Sequence, residues 1–299
     1  MNGTATVFNL ASIVSHHAGL APQKEAIVWE NVRLTYGELD KLSNRVANAL
    51  VEMGIGHGDK VALNCVNVPY FPIVYYGIMK AGAVVVPLCV LFKAGEIEYH
   101  LRDSDAKGVF VFEGTAELPM LASTKEAFDK VDSCEHLVVM TVDMMGASPI
   151  AEHKTLTQIT FDKPEEFEMY PTAPDDTCAI LYTSGTTGQP KGAELTHLNL
   201  WSNCVTTYAI HQPMLDFTDQ QQKTCLITLP LFHTTGQTVQ MNTQIYGGNR
   251  VVLLPRFEPK TTLDAMVAEK VNFWVGVPTM YWALLKYSKE NDYDISHIA

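Results

Sequence analysis

Residues 181–192 read LYTSGTTGQPKG, with hydroxyls at Thr183, Ser184, Thr186 and Thr187, glycines at Gly185 and Gly188, and Lys191 held between Pro190 and Gly192. These residue types suit a phosphate group. Glycines let backbone N–H groups close around phosphate oxygens, short hydroxyls add donors without bulk, and Lys191 adds a mobile point charge. The spacing excludes two familiar phosphate loops. A Walker A loop would need glycine where Pro190 stands and Ser or Thr where Gly192 stands. A kinase loop needs G-x-G-x-x-G, which this stretch lacks. A disordered Gly/Ser/Thr linker fits worse, because linkers seldom sit between a buried strand and a capped helix.

The flanking elements must position these groups. Cys178–Tyr182 is continuously apolar, as in a strand buried on both faces, and Thr196 opens a helix whose apolar face is expected at Leu198, Trp201, Val205 and Tyr208. The loop therefore belongs at a strand's carboxyl end, where open α/β sheets bind ligands. Upstream, EAIVWENVRLTY reads as a hairpin turning at Glu30 and Asn31. Thr35 and Glu38 form a capping box for a helix with Leu39, Leu42, Val46, Leu50 and Met53 as its core stripe and Gly54 as its stop. Strands KVALNCV, AVVVPL, GVFVF and HLVVMTV then alternate with helices. Periodicity fades from Gly146 to Asp176, which reads as a passage between lobes. Strands TCAILYT, CLITLPL, RVVLLPR and NFWVGV follow, again with helices between them. The alternation predicts an α/β fold of two lobes, each a mainly parallel sheet flanked by helices, at about 1–170 and about 176–299, the second carrying the phosphate loop.

Composition agrees with two lobes. The chain has 299 residues, 47% of them hydrophobic, and single cores tend to split above roughly 250–300 residues. A formal charge of −12 argues against nucleic acid as a partner, since phosphates are neutralised by Lys and Arg. Six scattered cysteines without C-x-x-C spacing suggest neither a zinc site nor a disulfide framework, and no His/Asp/Glu spacing suggests a protein metal cage. The apolar stretch Val68 to Phe92 is interrupted by Lys80 and three prolines, so a buried helix and strand are expected rather than a membrane span. A cytoplasmic location is expected, because scattered free thiols fit a reducing compartment and MNGTATVFNL lacks the pattern of a secretory signal. Peripheral membrane contact and oligomer formation stay open.

YTSGTTGQPKGAELTH resembles the signature of the adenylate-forming (AMP-binding) enzymes, the superfamily of acyl-CoA synthetases, luciferases and peptide-synthetase adenylation domains. LPLFHTTG (229–236), VGVPTMYWALL (275–285), YYGIMKAGAVVVPL and EIEYHLRDSDAK extend the likeness over nearly the whole chain, most closely to a bacterial fatty-acyl-CoA ligase. The resemblance implies ATP-dependent activation of a carboxylic acid, with a fatty acid expected, to an acyl-adenylate and then an acyl-CoA, with ATP, Mg2+ and coenzyme A as cofactor or co-substrates. It implies that Thr183, Ser184, Gly185, Thr186, Thr187, Gly188 and Lys191 hold the β- and γ-phosphates. His233 would border the acyl carboxylate and the pantetheine tunnel, although a lone histidine is ordinarily a satisfied core residue. Val277, Pro278 and Thr279 match a turn leading a helix along the acyl and adenine pockets, with Pro278 suited to the first helical turn; a plain strand-to-helix connection is the alternative.

Family members continue with motifs for adenine, magnesium and ribose and with a small C-terminal domain. The chain stops at Ala299 before any of them, so it resembles an amino-terminal AMP-binding portion whose isolated activity is expected to be absent. A non-catalytic nucleotide- or acyl-binding module, or an adenylation enzyme for another carboxylate, remains the alternative; LFHTTGQTVQ lacks the acidic anchor expected of an amino-acid-activating domain. Gln237, Gln240 and Gln244 fall at i, i+3 and i+7 with Val239 and Tyr246 opposite. They read either as a solvated face or as a polar lining of the acyl tunnel. The histidines other than His233, the His16–His17 pair included, are expected at the surface.

Overall fold

The architecture comes from a computed structural model that describes residues 7–183, 188–211, 222–296 and 298. Helix α1 (Ser12–Leu20) leads into the hairpin β1 (Glu25–Trp29) and β2 (Val32–Thr35), turned at Glu30 with φ of 50°. The capping box then closes: Thr35 N–H donates to Glu38 Oε2 at 2.8 Å and Glu38 N–H to Thr35 Oγ1 at 3.2 Å. It opens α2 (Tyr36–Glu52), which Gly54 stops in the left-handed region at φ 77°. Four parallel strands and their crossovers follow: β3 (Lys60–Asn64), α3 (Tyr70–Lys80), β4 (Val84–Pro87), α4 (Ala94–Asp103), β5 (Ala106–Phe112), α5 (Met120–Phe128) and β6 (His136–Met140). After the short α6 (Leu156–Thr160) come β7 (Thr177–Thr183), β8 (Lys191–Thr196) and α7 (His197–His211). The chain continues as β9 (Thr224–Ile227), a π-helix (Thr235–Asn242), α8 (Thr243–Tyr246), β10 (Arg250–Leu253), α9 (Pro259–Ala268), β11 (Phe273–Trp274) and α10 (Pro278–Glu290).

Two compact units result, each an α/β layer with a mainly parallel sheet flanked by helices. One takes in the opening residues, Asp40–Val66 and Tyr70–Asn199, around the sheet β6-β5-β3-β4-β7-β8. The other takes in Ile13–Leu39, Asn67–Pro69 and Leu200–Ala299, around the sheet β11-β9-β10-β1-β2. This division does not follow chain order. Strand β7, expected in the later lobe, pairs with β4 through Val85 and Ala179, and the early strand β1 pairs with β10 through Ile27 and Val251.

The stretch Gly146 to Asp176 is no free passage between lobes but part of the first unit. Asn44 Nδ2 donates to Glu165 O at 2.8 Å, Asn48 Nδ2 to Glu166 O at 3.0 Å, and Tyr170 N–H to Lys80 O at 2.9 Å. Side-chain amides of α2 hold it, so it needs no apolar periodicity of its own. Helix α3 is buried along its whole length, Lys80 included, and Lys80 Nζ is satisfied by Asp40 Oδ1 at 2.6 Å and Asn44 Oδ1 at 2.7 Å. A buried ammonium is tolerated only with such partners. In the second unit, α9 and α10 pack Leu263, Met266 and Leu284 against Val28, Leu226 and Val252 of the sheet. Among the described residues no helix is long and apolar enough to cross a membrane.

Two expectations about side chains change. The buried residues of α7 are His197, Leu200 and Cys204, while Leu198 is exposed, so the helix is rotated from its expected apolar face. Histidines expected at the surface are also drawn in: His17 Nε2 meets Tyr246 O at 2.9 Å, and His100 and His197 are buried. His197 Nδ1 accepts from Leu10 N–H at 3.1 Å, which fixes the neutral tautomer with the proton on Nε2.

Burial brings the His197 pKa down from 6.5 to about 4. Between those values the unfolded chain binds a proton that the folded chain refuses, so stability falls as pH drops from 6.5 towards 4 and is fully retained above 6.5. The share from this histidine is about 2 kcal/mol at pH 5. Chemical denaturation at pH 8 and pH 5 checks it: His197→Gln should lower stability at pH 8 yet lose less on acidification than the parent chain.

Candidate active site

Strand β7 carries the apolar run Cys178–Leu181 into the core and emerges at Thr183, which is exposed. The spacing predicts a helix directly after the loop, but β8 intervenes and runs antiparallel to β7, with Tyr182 opposite Gly192 and Thr183 opposite Lys191. Strand β8 was hidden in the sequence because KGAELT is an edge strand, exposed over its first four residues, and lacks apolar alternation. Gly192 has a local cause. A Cβ there would come within 2.7 Å of Ile180 Cγ2 and 3.2 Å of the Tyr182 ring, so only glycine lets the tyrosine lie across the strand.

The consequence is chemical. Helix α7 begins at the far end of β8, where Thr196 pairs with Thr177, roughly 17 Å along the strand from Lys191 at about 3.4 Å per residue. Its first-turn donors are engaged in a reciprocal cap, with Asn199 N–H donating to Thr196 Oγ1 at 3.1 Å and Thr196 N–H to Asn199 Oδ1 at 3.0 Å. A helix dipole therefore does not serve the loop. What the hairpin offers an anion is its own backbone, its hydroxyls and Lys191. Thr183 and Lys191 are brought together, and Gly188 is exposed beside them; Ser184, Gly185, Thr186 and Thr187 lie outside the described residues.

The legs of this hairpin are tied to α4, through residues that the sequence reading gave no role. Tyr99 Oη donates to Pro190 O at 2.7 Å, and Tyr182 Oη donates to Asp103 Oδ2 at 2.7 Å. The His100 ring packs edge-on against Tyr182 with centroids 4.2 Å apart, and its Nδ1 donates to Glu96 O. Burial holds His100 neutral by lowering its pKa. These residues stand in EIEYHLRDSDAK, but nothing in their spacing points 90 residues downstream.

The remaining candidates lie in the second unit. The segment Leu229–His233 leaves the carboxyl end of β9 and is pinned by Asn67, whose Nδ2 donates to Leu229 O at 2.9 Å and whose Oδ1 accepts from Leu231 N–H at 2.9 Å. Asn67 was not recognisable in sequence, because a lone buried asparagine carries no pattern. His233 is exposed, with its ring 4.6 Å from that of Phe232, and partial burial lowers its pKa. Its carbonyl accepts from Gln237 N–H at 3.0 Å as the π-helix begins. Gly236 allows that start, since a Cβ would sit 2.3 Å from Pro230 O.

The glutamines are not a solvated face. Gln237 and Gln240 are fully buried; Gln237 Nε2 donates to Leu231 O and Gln240 Nε2 to Leu226 O, each at 3.3 Å. Gln244 Oε1 accepts from Asn249 Nδ2 at 2.9 Å. The wider winding of a π-helix also breaks the i, i+3, i+7 rule on which that face was drawn. Gln240 Oε1 and Thr238 Oγ1 are buried without a hydrogen-bond partner among the described residues. Val277 caps α10 with Pro278 at its first turn, as expected, and Val277 and Thr279 are exposed. Beside them Trp274 Nε1 donates to Thr228 Oγ1 at 3.0 Å, next to Met280.

A model of the AMP-binding enzymes matches residues 14–299. The chain is 30% identical to the long-chain-fatty-acid–CoA ligase of Bacillus subtilis strain 168, covering 97% of this chain and 54% of that protein. It is also 30% identical to a feruloyl-CoA synthase of an Amycolatopsis species, covering 97% and 52%. The crystal structure of ATP-bound MatB from Rhodopseudomonas palustris shares the fold with a TM-score of 0.79 at 28% identity, covering 97% of this chain and 54% of that one. The chain thus spans about half the length of the relatives it matches.

Asn67 supplies the clearest structural test of this region. Asn67→Leu leaves a buried carbonyl and a buried N–H of the Leu229–Leu231 segment unpaired, at a cost of roughly 2–4 kcal/mol. Asn67→Asp keeps the acceptor for Leu231 N–H but buries a carboxylate against the Leu229 carbonyl, so at neutral pH it should cost at least as much and should recover as the carboxyl is protonated. Urea unfolding of the two variants at pH 7 and pH 5 should show that recovery in the aspartate variant alone.

Proposed function

The chain belongs to the AMP-binding enzyme family, and from that premise we propose that it carries the phosphate loop and part of the acyl pocket of an AMP-forming acid–thiol ligase. In this reaction a carboxylate oxygen attacks the α-phosphorus of ATP, supplied with its Mg2+ as substrate. The bond to the bridging oxygen breaks and pyrophosphate leaves. The thiol of coenzyme A then attacks the adenylate carbonyl, forming the thioester and releasing AMP.

The observation that carries this proposal is the pairing of Thr183 with Lys191 across the β7–β8 hairpin. It holds a hydroxyl and an ammonium side by side at the carboxyl end of a mainly parallel sheet, at the two ends of the glycine- and hydroxyl-rich stretch. Thr183, Ser184 to Gly188 and Lys191 receive the β- and γ-phosphates and stabilise the charge that develops on pyrophosphate. This is positioning and electrostatics, not covalent catalysis. Each charge-assisted hydrogen bond contributes roughly 1.5–3 kcal/mol.

His233 borders the carboxylate in this proposal. Its lowered pKa keeps the imidazole neutral near pH 7, so it orients the acid as a hydrogen-bond partner without trapping it as a counter-ion. Gln237, Gln240, Val277 and Thr279 contribute to the acyl pocket. Relatives named for a long-chain fatty acid and for feruloyl-CoA show that the family's acids vary. Here the unpartnered oxygens of Gln240 and Thr238 support shorter or oxygenated acids, since a plain hydrocarbon cannot donate to them.

The test is pyrophosphate release by the complete product of the gene, with ATP and a panel of carboxylic acids from short to long and from saturated to oxygenated. ATP binding without release for any acid would instead mark a nucleotide-binding module. Lys191→Ala should slow adenylate formation by about 100-fold while leaving thioester formation from supplied acyl-adenylate within a few-fold; equal loss in both half-reactions would indicate a folding defect. Gln240→Leu should shift the kcat/KM profile towards longer saturated acids by about tenfold, the worth of one unpaired polar group. An unchanged profile that already favours long acids would remove the glutamines from specificity.

A further inference from the structure

The phosphate hairpin hangs from the sheet edge. Among the described residues, strand β8 has β7 on one side and no strand on the other, and a two-stranded ribbon at an edge twists readily. Yet both strand ends beside the tip are held from outside the sheet by one helix. Tyr99 and Asp103 stand four residues apart on α4, on the same face. Tyr99 Oη donates to the carbonyl of Pro190, the residue before Lys191, and Asp103 Oδ2 accepts from Tyr182 Oη, the residue before Thr183, both at 2.7 Å.

We propose that Tyr99 and Asp103 are positioning residues for the phosphate-binding hairpin, one for each leg, fixing Lys191 and Thr183 where the outer phosphates of a nucleotide are received. The inference rests on the phosphate-binding role proposed above. Pro190 makes the arrangement specific. Lacking an N–H, it offers only its carbonyl, and a carbonyl oxygen repels phosphate. Turning that oxygen onto Tyr99 keeps it off the anion and sets the direction in which the chain enters Lys191. On the other leg, Tyr182 is seated over Gly192, against His100 and Tyr99, with ring centroids 4.2 and 6.4 Å away. Its hydroxyl is anchored by Asp103. The helix thus reads both legs and prevents one from sliding past the other, and neither residue touches the ligand.

A preorganised site is expected to lose affinity, rather than only stability, when its support is cut. The experiment is titration calorimetry of the chain with ATP, inorganic pyrophosphate and AMP. Tyr99→Phe keeps the ring packing and deletes only the hydroxyl. It should weaken ATP and pyrophosphate about threefold to tenfold, the worth of one neutral hydrogen bond, while AMP, which lacks the outer phosphates, changes by less than twofold. Asp103→Leu should do the same, and Asp103→Asn, which still accepts from Tyr182, should restore most of the affinity. A purely structural role would lower the melting temperature and leave these three affinities in their original ratio, which overturns the proposal, as does an unchanged affinity for pyrophosphate in Tyr99→Phe. Lys191→Ala separates the two levels. If it weakens ATP and pyrophosphate while Tyr99→Phe does not, the phosphate site stands and the clamp falls; if Lys191→Ala changes neither ligand, both fall.

Discussion

Strand β7 is paired on both sides, parallel to β4 through Val85 and Ala179 and antiparallel to β8 over its whole length. The first unit depends on that double pairing. The parallel side sends the carboxyl end of β7 out beside the ends of its neighbours, and the antiparallel side turns the chain back at once. The glycine- and hydroxyl-rich stretch is therefore bounded by two chemically distinct residues, Thr183 and Lys191, that are in register. A strand-loop-helix arrangement would have set a helix N-terminus after Lys191. The hairpin sets two paired strand ends there instead, and α4 bonds to both sides, through Tyr99 to Pro190 and through Asp103 to Tyr182.

The second unit solves a related problem by other means. At the carboxyl end of β9 the chain leaves the ladder, and its backbone groups need partners in a buried setting. Asn67, Gln237 and Gln240 supply them with side-chain amides, on the carbonyls of Leu229, Leu231 and Leu226 and the N–H of Leu231. The π-helix is part of the same solution. Its start is pressed onto the carbonyls of Leu229 and Pro230 so closely that only Gly236 fits. Buried amides normally lower stability unless every group is matched.

Sequence patterns revealed most of the elements, because their signals are local. The Thr35–Glu38 box, the β-branched run Val84–Val86 and Pro278 at a helix start each state their own conformation. The family likeness of residues 181–192 was legible for the same reason. What stayed hidden is non-local. Strand β8 has no apolar alternation because its edge is solvated. The grouping of β1 with β10 and of β7 with β4 is a pairing across 220 and 90 residues, to which periodicity is blind. Tyr99 and Asn67 act on backbone atoms far away in sequence, and a hydrogen bond to a main-chain group leaves no complementary side chain to recognise; Asp103 meets the hydroxyl of Tyr182, whose spacing from it follows no local period. The glutamines misled because their spacing was judged on an α-helical wheel while the backbone is wound as a π-helix.

The position of β8 at the sheet margin has a colloidal side. An uncovered strand edge is a template on which another chain can add a strand, and proteins guard such edges with charge. Among the described residues, the guards on β8 are Lys191 and Glu194, of opposite sign and three residues apart, with Glu194 tied down by Thr177 Oγ1 at 2.9 Å. The lysine to which the proposed function assigns the outer phosphates is thus also one of two charges discouraging self-association through this edge. On that proposal a bound polyphosphate would mask its charge, so occupancy of the site would bear on how readily two copies meet at this margin as well as on what the hairpin holds.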